Sequence, residues 1–351
     1  MNQTKKLKFT RQPDTGCLSE EDAKRYFSTV GLAMVALMLV YYATSIAMAY
    51  AIAILDPSIL ENAILSHVPS LVALYGVALP VFCLILRRLP KGIPSGVPLS
   101  GGVLLGGFGM TAAMMMAGNY VSQVVIAFFE NAMGAQQENP VATMTENLPW
   151  WVNLIFVAII PCIFEELLFR KALCDRLIPL GEGYAVVISA VAFGLIHGNF
   201  FQFFYAFAVG LVFGAIYVKT GRIWITVLYH GLINLLSGVL ISWILDQLTP
   251  LLEESTLIRM EEYLATGDAE ALNALVSPYM LPMLLLLAYE AVMLGATVIG
   301  LVFFFRRGRR IRFQSGLLPV PRSCRVSAVL LNVGCAAALT VFAAIFLLSL
   351  L

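Results

Sequence analysis

Apolar runs of about 20 residues recur along the whole chain between short polar connections, and that is the length a helix needs to cross bilayer hydrocarbon. Spans are expected near 27–54, 66–86, 99–129, 150–169, 184–199, 203–218, 223–246, 279–305 and 326–350. The fold class that follows is an all-α, polytopic transmembrane bundle of about nine helices, with eight as the alternative count. Residues 184–218 are too few for two comfortable spans and a loop. The fifth helix is therefore expected to start late or the hairpin to be shallow, with 171–187 a partly buried, broken segment.

The placement of charge tests this pattern independently. Alternating the connections puts 1–26, 87–98, 170–183, 219–222 and 306–325 on one side, with 6, 3, 3, 2 and 7 basic residues, or 21 of the chain's 22. Arg259 alone falls on the other side. By the positive-inside rule the N-terminus is expected in the cytoplasm and the C-terminus outside the cell membrane. With 60% hydrophobic and 12% charged residues, composition excludes a soluble globular protein.

The first 26 residues are mostly polar and include Glu20, Glu21 and Asp22, so the first apolar run reads as an anchor, not a cleaved signal. The six cysteines map to inner connections or helices, which implies reduced thiols and no disulfide framework. The outer connection 247–278 is acidic and is expected to hold two short helices around a Thr266-Gly267-Asp268 turn. The basic run Arg306–Arg312 reads as an anchor to anionic lipid headgroups. No internal repeat of the transporter kind is apparent.

Candidate chemistry lies in 161–234. Glu165 and Glu166 stand side by side in an apolar helix, where an ionisable group is costly unless paired or facing a wet cavity. Successive helical residues differ by 100°, so the two carboxylates diverge, whereas Glu166 and Arg170 at i and i+4 share a face. An ion pair there leaves Glu165 pointing into the interior. Pro161 is expected to kink the helix one turn earlier. Phe193 and His197, and His230 and Asn234, repeat the same spacing downstream. Glu290, Asn119, Gln123 and Asn332 are weaker candidates for a substrate path, and interhelical hydrogen bonding explains each more simply. His67 is expected at a membrane interface and inert. Gly210 and Gly214, like the Gly101–Gly109 glycines, are expected at close helix crossings.

Glu165-Glu166-x-x-x-Arg170, Phe193-x-x-x-His197 and His230-x-x-x-Asn234 together resemble the CPBP intramembrane proteases, bacterial relatives of the eukaryotic CAAX prenyl endopeptidase. The resemblance covers about a quarter of the chain, placing a catalytic core at 149–240 between N-terminal helices 27–148 and, beyond the 241–278 loop, C-terminal helices 279–351. It implies an endopeptidase in which Glu165 and His197 activate water while His230 and Asn234 stabilise the oxyanion, with Glu166, Arg170 and Phe193 in support.

No cofactor is expected. The alternative is zinc held by Glu165, His197 and His230, a His₂Glu set of catalytic type. Against it, there is no His-Glu-x-x-His helix, and Asn234 is a poor zinc ligand but a good oxyanion donor. Expected partners are membrane lipids and a peptide or membrane-protein substrate, with no nucleic acid. The rival functions are a transporter and a non-catalytic immunity or scaffold protein.

Overall fold

The computed structural model describes residues 7–145 and 148–350. Lys5 and Lys6, counted among the inner basic residues, lie outside it. The described chain is a helical bundle: α1 Glu20–Leu55, α2 Leu65–Leu86, α3 Gly101–Met133, α4 Trp150–Leu180, α5 Glu182–Leu195, α6 Phe200–Thr220, α7 Ile223–Leu252, α8 Met280–Arg306 and α9, bent by 48° between Arg322–Leu330 and Val333–Leu348. Polar side chains start several of them. Ser19, Ser100, Asn199 and Asn332 each accept a hydrogen bond from a first-turn amide, satisfying donors that have no partner inside the helix.

The alternative count of eight is the one that fits. Among the described residues seven helices are long and apolar enough to span, or eight with the bent α9, and α5 is not among them. Its 14 residues reach about 21 Å, short of a hydrocarbon core of about 30 Å. The shallow hairpin anticipated from the residue count is thus real, and glycines hold it together. Gly210 packs against Ala190 and Gly214 against Val186, approaches that a Cβ would crowd.

The expected break after residue 169 does not occur. Helix α4 runs on to Leu180 through π-type turns at 154–159 and 167–174, and only Gly181, at φ +136°, turns the chain into α5. Arg170 and Lys171, assigned above to a connection, therefore belong to α4. Arg170 is fully buried, which leaves 21 − 1 = 20 basic residues in the inner set.

Helices α4 to α7 form the centre. Helices α1, α2 and α9 pack on one flank and α3 and α8 on the other. The α3–α8 crossing rests on Gly109 against Gly300, and α1–α9 on Gly31 against Gly334. Much of the outer surface is apolar, with Ile46, Tyr50, Leu284 and Leu287 exposed. In water such a belt would promote aggregation; facing lipid tails it is the stable arrangement.

The basic connections, scattered along the sequence, meet at one end of the bundle. Leu7 donates its amide to Arg88 O, Leu18 to Pro319 O, Gly92 to Asp175 O, Ser95 to Val218 O and Leu318 to Pro179 O. Glu182 ties three of them together: its carboxylate accepts from Ser95, from Lys219 Nζ and, at 2.8 Å, from the Gln314 amide. The acidic connection folds as anticipated, into Glu254–Thr266 and Ala269–Val276 about a left-handed Gly267.

The latch gives the first prediction. Glu182→Ala strands Lys219, which is 17% exposed, and frees the 308–321 connection. Thermal unfolding in detergent should show a loss of about 3 kcal/mol, the low end of the range for a broken buried pair because Lys219 keeps some solvent. An unchanged melting temperature would show that the latch contributes nothing.

Candidate active site

Helix α4 supplies the carboxylates, and its helical phase separates them as the spacing requires. Glu166 is fully buried and pairs with Arg170 Nε at 2.9 Å. Arg170 Nη1 donates to Ser189 Oγ of α5 at 3.1 Å, and the guanidinium lies 5.6 and 5.8 Å from the ring centres of Phe193 and Phe213. A cation sandwiched between two aromatic faces recovers part of its lost hydration. Glu165 projects from the other face into a cavity of about 440 Å³ whose walls include Tyr75, Phe193, His197, Tyr205, His230 and Asn234.

His230 stands between the two carboxylates. Its Nδ1 is 3.3 Å from Glu166 Oε1 and its Nε2 3.8 Å from Glu165 Oε2. Because a carboxylate only accepts, Nδ1 carries the proton in that contact. Tyr75 of α2 donates to Glu165 Oε1 at 3.3 Å and stacks on Phe164 at 4.9 Å. Glu165 Oε2 is buried and has no hydrogen-bond partner within the protein.

His197 sits just past the end of α5, in the turn to α6. Its Nδ1 is 2.8 Å from Phe193 O, so Nδ1 donates and the neutral ring presents its Nε2 lone pair. Asn199 caps α6 and donates to His197 O at 2.7 Å, so one residue starts a helix and fixes the histidine backbone. Phe193 touches both rings edge-on, with centroids 5.3 Å from His197 and 5.5 Å from His230.

The uninterrupted α4 brings Glu165 and His197 to a common level. Glu165 is 15 residues before Leu180 and His197 is 15 residues after Glu182. Each lies about 20 Å from the shared Gly181 turn, so antiparallel helices bring them to one level.

Asn234 has a structural task that the spacing did not foretell. Pro161 has no N–H to offer Val157 O four residues back, the carbonyl it strands in a regular helix, and Asn234 Nδ2 donates to that oxygen at 2.9 Å. The helix bulges at 154–159 instead of breaking. One amide hydrogen of Asn234 remains for the cavity.

All seven residues named from the motifs gather in this region. The secondary candidates do not: Asn119, Gln123 and Glu290 are exposed and Asn332 caps the second half of α9. Half-buried His67 packs edge-on against Phe156. Tyr75, Ser189, Phe213 and Asn199 escaped notice, because they join the site from other helices. A lone tyrosine in the second apolar run was the available signal for Tyr75.

Among the described residues, no three His, Cys, Asp or Glu side chains converge as a metal set requires. All six cysteines carry free thiols.

Residues 147–236 match the sequence model of the family described as "Type II CAAX prenyl endopeptidase Rce1-like". The chain is also 29% identical over 162 residues to a Bacillus subtilis (strain 168) protein named "Putative membrane peptidase YdiL", covering 44% of this chain and 64% of that relative, just under two thirds of its length. No solved structure matches. The paired glutamates lie inside the matched stretch, which is similar to the CAAX prenyl endopeptidase family over that part of the chain.

The geometry predicts opposite phenotypes for neighbouring residues. Arg170→Ala leaves Glu166 buried without its cation and should cost about 3–5 kcal/mol. Glu165→Gln, isosteric and facing the cavity, should leave unfolding unchanged. Melting curves of both purified variants check this; equal destabilisation would make Glu165 structural too.

Proposed function

We propose that this protein is an intramembrane endopeptidase that hydrolyses a peptide bond in or near the bilayer with water activated by Glu165 and His197. What supports this most is Glu165 Oε2, a buried carboxylate oxygen that no protein group satisfies at the wall of a cavity shared with two histidines. An unpaired buried acceptor is costly. It is tolerable where its partner is a water or a substrate.

In this reading Glu165 takes the proton of the attacking water and His197 Nε2 orients that water. The tetrahedral oxyanion receives His230 Nε2–H in the imidazolium form, with Nδ1 held on Glu166, and the second amide hydrogen of Asn234. Donors fixed before reaction in a dry site stabilise developing charge strongly. Glu165 then returns its proton to the leaving amine. Glu166, Arg170 and Phe193 set the angle of His230.

The transporter and scaffold rivals need no orphaned base beside oriented histidines. No step is routed through a metal. The substrate is a peptide or a membrane protein, and annular lipids are partners of the apolar belt. The protein belongs in the cell membrane with its N-terminus in the cytoplasm and its C-terminus outside, on the charge argument above.

Hydrolysis of a quenched fluorescent peptide pool by purified protein tests this. Glu165→Gln should abolish turnover, and Asn234→Ala should lower kcat by roughly 10²–10³-fold with little change in KM. Because Asn234 also serves Val157 O, its variant should melt slightly earlier. Chelators should not inhibit. Stoichiometric zinc in active enzyme, lost together with activity on substitution of Glu165, His197 or His230, would replace this mechanism by the metal one.

A further inference from the structure

The cavity is closed toward one end of the bundle and its walls extend toward the other, and the charge pattern says which end is which. Toward the basic connections its floor is sealed by Glu166, Arg170, Ser189 and Phe213, all fully buried. Below them Phe169, Leu173, Cys174 and Tyr217 continue a solid core. No wall residue comes from the 87–98, 219–222 or 306–325 connections.

In the other direction the walls climb past Asn234 to Ser237 and Gly238 on α7, and past Tyr75 to Ser70 on α2. They end at Pro140, Val141 and Met144. Those three belong to a short helix, Pro140–Thr145, in the connection between α3 and α4, at the end opposite the Glu182 latch. Its Ala142 and Thr143 face outward while Thr145 is buried, its carbonyl held by Asn153 Nδ2 at 3.2 Å. Exposed Trp150 and Trp151 follow at the same end, as suits an interfacial aromatic belt.

We infer that the site takes its substrate from the extracytoplasmic face, so that the substrate is an exported peptide or the outer part of a membrane protein, not a cytoplasmic tail. The inference rests on the hydrolytic reading above and adds a direction to it. Of the 22 − 2 = 20 basic residues among those described, all but Arg170 and Arg259 belong to the sealed end, so the sealed end is cytoplasmic. A peptide arriving from that side would have to displace the Glu166–Arg170 pair to reach Glu165. From the other side it meets only the short 140–145 helix before the cavity. A prenylated C-terminal tail, which is made and modified in the cytoplasm, is on the wrong side.

Substituted-cysteine labelling separates the direction from the chemistry. Ser237→Cys lines the cavity above Asn234 and Ser315→Cys lies in the basic connection; each is treated in intact cells with a charged, membrane-impermeant thiosulfonate, with wild type as the background of native cysteines. Ser237→Cys should react from outside and Ser315→Cys only after permeabilisation. The reverse pattern would overturn the inference, as would an unreactive Ser237→Cys.

In parallel, the quenched peptide pool is given to right-side-out vesicles, inside-out vesicles and detergent-solubilised wild type. Right-side-out vesicles should cleave it at the detergent rate, and inside-out vesicles at least tenfold more slowly until opened. Cleavage by sealed inside-out vesicles at the detergent rate would overturn the direction and keep the peptidase. An absence of cleavage in detergent with the expected labelling would do the opposite: the cavity opens outward, but the hydrolytic reading fails and the substrate class goes with it.

Discussion

The Glu166–Arg170 ion pair is the constraint on which the site depends. Two charges with no solvent exposure are expensive in an apolar bundle, and mutual attraction repays that only when the remaining donors and acceptors are also met. Here α5 contributes Ser189 and Phe193, α6 contributes Phe213 and α7 contributes His230. The four central helices are therefore held in one register by the need to solvate a single pair. One donor, Arg170 Nη2, still lacks a partner.

That register sets the arrangement on which the proposed chemistry rests. His230 answers to Glu166 on one side, so its other nitrogen is aimed at Glu165 and the cavity. His197 is fixed by Phe193 O and by the cap of the next helix. Each site residue thus has one polar atom committed to structure and another left over. Asn234 follows the same rule, with Val157 O as its structural partner. Preorganisation of this kind needs no motion at the moment of reaction.

Much of this was legible in the sequence, for physical reasons. The i, i+4 relation of Glu166 and Arg170 follows from helical geometry alone, and the gathering of basic connections at one end follows from their alternation along the chain. The level at which Glu165 and His197 meet did not follow. The span pattern ended the fourth helix near residue 169, because Arg170 and Lys171 look like the start of a polar connection, whereas a buried arginine with enough partners remains inside. The short α5 was only half visible: the shortage of residues was plain, but nothing in it showed that glycine packing would hold a 14-residue helix in place. Phe213 and Ser189 were invisible because solvating a guanidinium across helices leaves no local spacing.

In the proposed mechanism Glu165 acts on water and does not itself attack the peptide. A single-turnover cleavage in ¹⁸O water, followed by mass spectrometry of product and enzyme, addresses it most directly. The account predicts one ¹⁸O in the new C-terminal carboxylate of the product and none in the enzyme peptide carrying Glu165. Label in the Glu165 carboxylate would mean an acyl-enzyme anhydride, and would contradict it.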